Sequence, residues 1–419
     1  MNCSIFTIGT ELLMGATVNT NSAYLSSALN DIGLNVLYHV TVGDNENRIE
    51  DEFLRILSIS DVVITTGGLG PTKDDISKDI VARSLGLGMT LSNDIVEDIE
   101  KKFAKFAKSA KSESAMTKNN LRQAYIPDGA EILYNDFGTA PGILIDTKYN
   151  GKRKIVVMLP GPPREVKPMF ENKVVPYFKN ITNNKINSRY LRIFGLGESA
   201  VENKIIDLVD NQTNPTIATY VKNSEVMIRV TSSGNSEEEN MKLIDETVIK
   251  IKDIVGEYIY SENNEDLSDV VCRMLIEKNL SIATAESCTG GLIAKTLTDY
   301  PGISSVYERG YVTYSNEAKQ TELGVSQEVL NKYGAVSEEN ALEMVKGLYK
   351  KTNCDICVAV TGIAGPDGGT EEKPVGLVYC AYMINGKAQV QKHQFTGERS
   401  RIRLRTSLTV FDNIRRSML

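Results

Sequence analysis

A serine, a cysteine and a threonine lie together in the turn of the segment Leu280–Leu297, LSIATAESCTGGLIAKTL. Its apolar start, Leu280–Ala283, predicts a short strand, and the pattern from Gly290 onward predicts an amphipathic helix. A sharp strand-to-helix turn brings hydroxyl groups to a helix N-terminus, where free N–H groups and the helix dipole stabilise an oxyanion or a phosphate. Ser287 is therefore a candidate nucleophile, although the same residues also suit a simple helix cap. The candidate substrate-binding residues of this turn are Thr289, Gly290 and Gly291.

The chain offers a lysine, and not a histidine, as the base for such a serine. Its two histidines, His39 and His393, lie outside the glycine turns, so neither a Ser–His–Asp triad nor a histidine-rich metal site is expected. A neutral lysine can activate a serine instead. Lys319 follows Tyr314 on a predicted strand-to-helix connection, and burial would lower its pKa enough for it to act as a base. Cys288 is the rival nucleophile, and it is the weaker one because it lacks a histidine partner.

A second glycine loop follows the predicted strand Ile356–Val360, as TGIAGPDGG at Thr361–Gly369. Its backbone N–H groups could hold a phosphate and so orient a nucleotide for attack by Ser287. The last segment, Arg399–Arg416, predicts a helix whose arginines either coat a buried helix or meet a phosphate. The candidate substrate-binding residues of these two segments are Thr361, Gly362, Gly365 and Arg399.

The N-terminal part of the chain alternates strands with helices. The strand patterns Ser4–Gly9, Asn35–Val42 and Asp61–Thr65 are separated by helical patterns, a spacing that is typical of a parallel doubly wound sheet. In such a sheet, ligands bind beyond the carboxyl ends of the strands. We therefore expect a ligand site where these strands end. The three strand ends are Gly9–Glu11, Gly43–Asn45 and Thr65–Gly70.

The sharpest of these strand ends is TTGGLGPTKDD, Thr65–Asp75. Its glycines free the backbone to wrap an anion. Asp74 and Asp75 either cap the next helix or, with Asp44, hold a hard divalent metal such as magnesium against phosphates. A further predicted strand, Ile155–Leu159, ends in LPGPPRE on the same side of the sheet. The candidate substrate-binding residues at this edge are Gly9, Glu11, Asn21, Gly67, Gly68, Gly70, Pro160, Gly161 and Glu165.

Composition limits the partners and the location that we expect. The 419 residues carry a formal net charge of −7, so nucleic acid is not the first partner to propose. The N-terminus resembles no export signal and no apolar run approaches the length of a membrane span, which predicts a cytoplasmic protein. The six cysteines lie mostly in apolar runs, as reduced core thiols would, and the lone pair Cys354 and Cys357 does not predict a zinc site.

The chain is long enough for several domains, and its patterns predict three. We place an N-terminal doubly wound domain at 1–173, a small α/β domain at 174–260 and a C-terminal α/β domain at 261–419, after the polar linker Ser261–Asp266. In the middle domain, the strand Glu225–Thr231 has Val226, Ile228 and Val230 on one face and Glu225, Met227 and Arg229 on the other. A helix is predicted beside it at Glu237–Val255. The pattern from Ile76 to Lys111 is helical, and the lysine-rich stretch Lys101–Lys111 within it is typical of a solvated helix face.

Motifs along the whole chain resemble the CinA family of competence/damage-inducible proteins. They are VNTN, GDN, TTGGLGPTKDD and LPGPPRE in the first half, and ATAESCTGG, YVTYSNEAK and TGIAGPDGGT with KPVG in the last third. The resemblance implies an N-terminal molybdopterin-binding-like domain with metal-dependent ADP-ribose pyrophosphatase activity. It also implies a C-terminal nicotinamide-nucleotide amidase domain, which converts nicotinamide mononucleotide to nicotinate mononucleotide and ammonia.

The resemblance also assigns roles to single residues. It implies that Ser287 is the nucleophile, assisted by Lys319 and by one tyrosine of the YVTY strand, Tyr311 or Tyr314. It implies a divalent metal at Asp44, Asp74 and Asp75 and no cofactor for the amidase domain. We expect small-molecule nucleotides as ligands, no membrane, no direct nucleic acid, and a homodimer or higher homo-oligomer. The alternative is a non-catalytic nucleotide- or pterin-binding protein that acts with competence or recombination partners.

Overall fold

The computed structural model describes residues 1–110, 117–182, 185–222 and 224–419. It divides into two compact units. One comprises Met1–Ser188 with Ser232–Leu243, and the other comprises Arg189–Thr231 with Ile244–Leu419. Within the described residues, no helix combines the length and the apolar character needed to cross a bilayer.

The sheet of the N-terminal unit is mixed. Its order is β2-β1-β3-β8-β7-β6, in which β2, β1, β3 and β8 pair in parallel, β7 pairs antiparallel with β8, and β6 pairs antiparallel with β7. The predicted parallel arrangement is therefore right for one part of the sheet, and the other part is antiparallel. The strands are β1 Asn2–Ile8, β2 Asn35–Val42, β3 Val62–Thr66, the separate pair β4 Met89–Leu91 and β5 Tyr125–Pro127, β6 Glu131–Leu133, β7 Gly142–Tyr149 and β8 Lys152–Leu159.

Helices cover both faces of this sheet. Alternation along β1 places Ile5 in one apolar cluster and Phe6 in the other, because successive side chains of a strand point to opposite faces. Because β2, β1, β3 and β8 run in the same direction, their carboxyl ends lie at the same edge of the sheet. The helices are α1 Thr10–Leu13, α2 Thr20–Asp31, α3 Glu46–Ile59, α4 Ser77–Ser84, α5 Asn93–Ala110, α6 Pro163–Met169 and α7 Val175–Ile181, with shorter helical segments at Lys118–Ala124 and Phe170–Val174.

Two predictions in this unit need comment. The continuous helical pattern from Ile76 to Lys111 is divided into α4, β4 and α5, because Gly86 adopts a positive φ of 70° that ends the first helix. Of the predicted lysine face Lys101–Lys111, the side chains of residues 106–111 lie outside the described part of the chain.

A four-stranded sheet follows, in the order β10-β11-β9-β12. Val226, Ile228 and Val230 are buried, as the alternation predicts, and Met227 and Arg229 on the other face of the strand are partly exposed. Glu225 lies on this second face and is only 4% exposed. Its carboxylate accepts from Arg192 Nη2 at 2.6 Å; Arg192 is itself 1% exposed. An ion pair within the fold replaces water at this residue. The elements are β9 Lys185–Ile193, α8 Glu198–Lys204, α9 Ile206–Asp210, β10 Thr216–Lys222, β11 Glu225–Gly234, α10 Glu237–Val255 and β12 Ile259–Ser261.

The polar segment Ser261–Asp266 is bound to its surroundings by ion pairs. Glu262 pairs with Lys252 at 2.6 Å, and Asp266 pairs with Arg192 at 3.0 Å. Arg192 Nη1 also lies 3.4 Å from Asn264 Oδ1. This segment was predicted as a linker from its composition, and its charged side chains pair with Lys252 and Arg192, which precede it, and with Arg273, which follows it.

The C-terminal sheet has the order β14-β13-β15-β16-β17. The central strand β13 is parallel to β14 and β15, whereas β16 pairs antiparallel with β15 and β17 pairs antiparallel with β16. Apolar clusters lie on both faces, with Ile282 in one and Ala283 in the other. The strands are β13 Ile282–Glu286, β14 Tyr307–Val312, β15 Ile356–Gly362, β16 Leu377–Ile384 and β17 Lys387–Gln394, and the helices are α11 Leu267–Glu277, α12 Leu292–Thr298, α13 Asn316–Leu323, α14 Gln327–Tyr333, α15 Glu338–Thr352 and α16 Arg399–Ser417.

Candidate active sites

Ser287 is the first residue after the central strand β13. Its backbone N–H donates to Val360 O at 3.0 Å, and Thr313 N donates to Glu286 O at 2.9 Å. The neighbouring chain segments on both sides therefore hold the nucleophile turn in register. Gly290 and Gly291 complete the turn with φ angles of 57° and 88°, which favour glycine.

The helix α13 delivers Lys319 to this serine. Ser315 caps the helix by accepting from Ala318 N at 3.0 Å, and Lys319 follows in the first turns. Lys319 Nζ lies 3.1 Å from Ser287 Oγ and donates to Thr313 O at 2.9 Å. Burial lowers the pKa of Lys319 from its ordinary value, because a low-dielectric environment disfavours the charged form. A lysine that is more easily deprotonated, within hydrogen-bond distance of a serine hydroxyl, can act as its general base.

Cys288 follows Ser287 in the turn, and its surroundings disfavour the charged form of its thiol. The thiol is 6% exposed, and burial raises its pKa to about 12. Because the thiolate and not the thiol is the reactive form, this shift disfavours Cys288 as a nucleophile.

Glu286 has a role that the sequence analysis did not assign. It is 1% exposed, and its carboxylate accepts from Ile293 N at 3.1 Å and from Ala294 N at 2.8 Å. These amides belong to the start of α12, which the sequence analysis reserved for an oxyanion or a phosphate. The carboxylate already occupies them, so donors for a developing oxyanion must come from other groups of the turn.

The two candidate tyrosines are placed differently. The carbonyl of Tyr314 accepts from Lys319 Nζ at 3.4 Å, and its hydroxyl accepts from Arg399 Nη2 at 2.8 Å. Tyr311 packs against the apolar cluster on one face of the sheet, with Lys351 Nζ over its ring at 5.4 Å. Tyr314, which lies beyond the end of β14 and not within the predicted strand Tyr311–Tyr314, is the tyrosine that contacts the lysine.

The second glycine loop and the last helix form a cleft of about 660 Å³. Gly365 and Arg399 both line it, and Arg399 Nη1 donates to Gly365 O at 2.8 Å. Thr361 and Gly362 lie within β15 instead. The hydroxyl of Thr361 donates to Ala335 O at 2.7 Å, and a side chain at Gly362 would meet the neighbouring strand, at 2.7 Å from Leu377 O. Packing therefore accounts for these two residues.

The N-terminal strand ends surround a second cleft, of about 460 Å³. All twelve candidate residues of this half line it, so the structure brings together what the sequence placed at separate strand ends. Packing accounts for two of the glycines, because a Cβ at Gly67 would lie 2.2 Å from Ile8 O and one at Gly68 would lie 1.8 Å from Ser77 Oγ. The twelve residues are Gly9, Glu11, Asn21, Asp44, Gly67, Gly68, Gly70, Asp74, Asp75, Pro160, Gly161 and Glu165.

The carboxylates of this cleft are suitable donors for a hard metal but do not form a complete protein cage. Asp44 Oδ2 accepts from Thr10 N at 2.9 Å, and Asp75 Oδ2 accepts from Thr72 N at 2.9 Å. Among the described residues, no three acidic, histidine or cysteine side chains are grouped as metal ligands. Magnesium commonly needs only one or two carboxylates together with phosphates and water, and the cleft fits that mode.

Family models match three consecutive parts of the chain. Residues 4–180 match a probable molybdopterin binding domain, residues 188–261 match a damage-inducible protein CinA KH domain, and residues 264–418 match the CinA C-terminal domain. A protein from Acetivibrio thermocellus that is named "Putative competence-damage inducible protein" is 49% identical over 419 residues, which cover 100% of this chain and 99% of that protein. One from Clostridium beijerinckii is 47% identical over 419 residues, 100% of each.

The chain belongs to the CinA family. A solved structure of a competence/damage inducible protein from Agrobacterium tumefaciens is similar to it, with 42% identity over 36% of this chain and 97% of that chain, and a TM-score of 0.34. The resemblance drawn from the motifs and the α/β fold class are confirmed.

One arginine of this CinA-family chain has a contact that the sequence analysis did not assign. Arg403 Nε and Nη2 donate to Thr289 O at 3.0 and 2.6 Å, so α16 holds the nucleophile turn by a bidentate contact. The sequence does contain a signal for Arg403, because it follows Arg399 by four residues and residues four apart share one helix face. If Arg399 faces the site, Arg403 is expected to face it too.

Proposed function

We propose that the C-terminal part hydrolyses the carboxamide of nicotinamide mononucleotide to nicotinate mononucleotide and ammonia. The observation that carries this proposal is the 3.1 Å distance between Lys319 Nζ and Ser287 Oγ, combined with a lysine that is 1% exposed and has a lowered pKa. A serine paired with a neutral lysine is one of the hydrolytic arrangements that work without histidine.

The reaction proceeds by acyl transfer. Ser287 Oγ attacks the carboxamide carbon while neutral Lys319 takes the hydroxyl proton. The protonated lysine then gives this proton to the leaving nitrogen, the C–N bond breaks, and ammonia leaves a nicotinoyl ester on Ser287. Water attacks the ester with Lys319 as base, which releases nicotinate mononucleotide and restores the serine. Arg399, at the adjoining cleft with Gly365, is the proposed partner of the substrate phosphate.

We propose that the N-terminal cleft hydrolyses ADP-ribose to AMP and ribose 5-phosphate with a divalent metal. A volume of about 460 Å³ is in the range of small-molecule sites. Asp44, Asp74 and Asp75 would hold the metal, which would neutralise pyrophosphate charge when bound. In this unit the chain's own residues orient the substrate through the glycine loop and the turn at Pro160 and Gly161.

The test measures both activities on the purified full chain. Ammonia release from nicotinamide mononucleotide, without added metal and with a chelator, reports the first. ADP-ribose turnover with a panel of divalent metals reports the second. Ammonia release that persists in chelator, and ADP-ribose turnover that stops in it, are the expected results. No ammonia release from a folded chain would overturn the amidase proposal.

A second candidate function applies to the N-terminal cleft. The matched description of residues 4–180 names molybdopterin binding. This favours a cleft that binds a nucleotide or pterin without cleaving it. Tight binding of ADP-ribose without turnover, in every metal tested, would favour this function. We further propose a cytoplasmic homo-oligomer.

A further inference from the structure

A second cavity adjoins the N-terminal cleft at the glycine loop. Its volume is about 210 Å³, which is below the roughly 300 Å³ of pockets that enclose a whole small molecule. The cavity therefore suits one substituent of a ligand whose main part occupies the larger cleft. Both spaces are lined by Gly68, Leu69, Gly70 and Asp75, and the second cavity is also lined by Lys78, Asp79, Arg122 and Tyr125.

Lys78 brings a buried positive charge to the wall of this cavity. The residue is 7% exposed, and its Nζ donates to Arg122 O at 2.8 Å and to Gln123 O at 3.4 Å. Both acceptors are neutral, and Lys78 takes part in no ion pair with a described residue. Burial, opposed by Asp79 and assisted by Arg122, lowers the pKa of Lys78 to about 8, because a buried cation without a counter-ion is unfavourable.

Arg122 adds a second positive charge and keeps hydrogen-bond donors available. Its Nη1 donates to Thr72 O at 2.8 Å, whereas its Nη2 lies 3.6 Å from the Asp79 carboxylate. The side chains of Arg122 and Asp79 are 38% and 53% exposed, so water screens this long ion pair and it contributes little. A guanidinium carries several N–H donors, and those that do not contact Thr72 can bind a ligand.

The two cations lie close enough for each to disfavour the charge of the other. Asp75, which lines the same cavity, accepts from Thr72 N at 2.9 Å, and it forms no ion pair with either cation in the described part of the chain. An anion bound beside Lys78 and Arg122 would offset their repulsion and supply the missing counter-charge.

We propose that this second cavity binds a phosphomonoester group of the ligand that occupies the N-terminal cleft. Arg122 donates to the phosphate oxygens, which its planar guanidinium matches in geometry, and Lys78 stabilises the phosphate charge from within the wall. The inference rests on the proposed nucleotide ligand of this cleft. Because the metal and the glycine loop take the pyrophosphate in that proposal, the additional phosphate is one that branches from the ribose.

The test compares nucleotides that differ by one ribose phosphate. Calorimetric titration of the full chain at fixed ionic strength would use AMP, adenosine 2′,5′-bisphosphate and adenosine 3′,5′-bisphosphate. We expect at least one bisphosphate to bind about tenfold more tightly than AMP, as hydrogen bonds between charged groups predict. This comparison uses the unaltered chain, so it does not depend on a variant that folds.

Variants then assign the added affinity to the second cavity. Arg122→Met should remove most of the bisphosphate advantage and change AMP affinity little, because only the additional phosphate contacts the guanidinium. Lys78→Met should reduce the same advantage, since it removes the buried charge and keeps a side chain of similar length. Lys118→Met is the matched control, because Lys118 is exposed on the short helix that carries Arg122, and it should retain the full advantage.

The outcomes separate this inference from the proposed hydrolysis. Equal affinity of the unaltered chain for the three nucleotides, or no binding of any of them, would overturn the inference. So would an Arg122→Met variant that melts normally and keeps the advantage, or a Lys118→Met variant that loses it, since surface charge in general would then explain the effect. An advantage that depends on Arg122, without turnover of ADP-ribose, would overturn the pyrophosphatase proposal alone and leave the phosphate subsite assigned.

Discussion

The two candidate sites of this chain are built in opposite ways. In the C-terminal part, Ser287 and Lys319 are both buried, at 8% and 1% exposure, and their reactive atoms are 3.1 Å apart. In the N-terminal cleft, acidic side chains line an open space of about 460 Å³, and no three of the described metal-ligating groups converge. One site holds its reacting groups in contact, and the other presents separate binding groups.

The difference follows from the chemistry that each site is proposed to perform. Proton transfer between a serine and its base requires hydrogen-bond distance, so the protein must set this geometry itself. A metal and a phosphate bring their own charges and ligands, so a cleft can be completed by what it binds. We therefore expect changes in the first site to act on catalysis directly, and changes in the second to act through metal and ligand binding.

The largest expected effect is the loss of the nucleophile. Ser287→Ala should reduce deamidation of nicotinamide mononucleotide at least about a thousandfold, or ~4 kcal/mol, because the acyl-transfer route is removed. Cys288→Ala, the neighbouring control, should stay within a few-fold in the same ammonia assay. A dead Cys288→Ala protein beside an active Ser287→Ala protein, both with wild-type melting curves, would reverse the assignment.

A second large effect should be confined to the N-terminal cleft. Combining Asp74→Asn with Asp75→Asn should lower metal-dependent turnover of ADP-ribose at least about a hundredfold, since amides bind hard cations poorly. Deamidation should remain within about twofold.

The matched control is Thr72→Val, which removes a hydroxyl partner of Asp75 and leaves both carboxylates. Because both carboxylates remain, this variant shows how far turnover depends on the hydrogen bonds of the loop and not on metal binding. Retained turnover in the double variant would mean that the two aspartates only cap the helix. The two sites would then differ less than proposed.

An intermediate effect is expected where the structure positions the serine. Arg403→Met frees Thr289 O from its bidentate partner, so the turn should shift and kcat for deamidation should fall about ten- to a hundredfold, with a smaller change in KM. Arg401→Met, exposed on the same helix, should behave as wild type. An unchanged kcat in Arg403→Met would show that strand pairing alone holds the turn.

The smallest effects concern the pH dependence of Lys319. Because burial lowers its pKa in the folded chain, deamidation should rise with pH and level off below the pKa of an exposed lysine. The same shift means that the folded state binds fewer protons than the unfolded state, so this group opposes folding at neutral pH and the penalty disappears as pH rises through the ordinary lysine pKa. The melting temperature of wild type relative to Lys319→Met should therefore rise between pH 7 and pH 11, because only wild type loses this penalty. A difference in melting temperature that stays constant over this range would contradict the lowered pKa.

The sequence by itself determined the local elements and the kinds of chemistry available. Period-two and helical patterns located β2 at Asn35–Val42 and α10 at Glu237–Val255 within the observed bounds, because those patterns depend on neighbours in the chain. The scarcity of histidine directed attention to Lys319, and the glycine turns identified Ser287 and the N-terminal strand ends. Each of these features is contained in a short stretch.

Tertiary structure alone decided which of these residues meet and what surrounds them. Arg403 donates to Thr289 O across 114 residues of sequence. The Glu286 carboxylate accepts hydrogen bonds from two backbone amides of α12, which the sequence analysis had left free to bind substrate. Glu225 is buried against Arg192, and Gln123 lines a cleft without belonging to any motif. Burial, pKa and pairing result from packing between distant segments, since the desolvation that lowers the pKa of Lys319 comes from the whole fold and not from its neighbours in the chain.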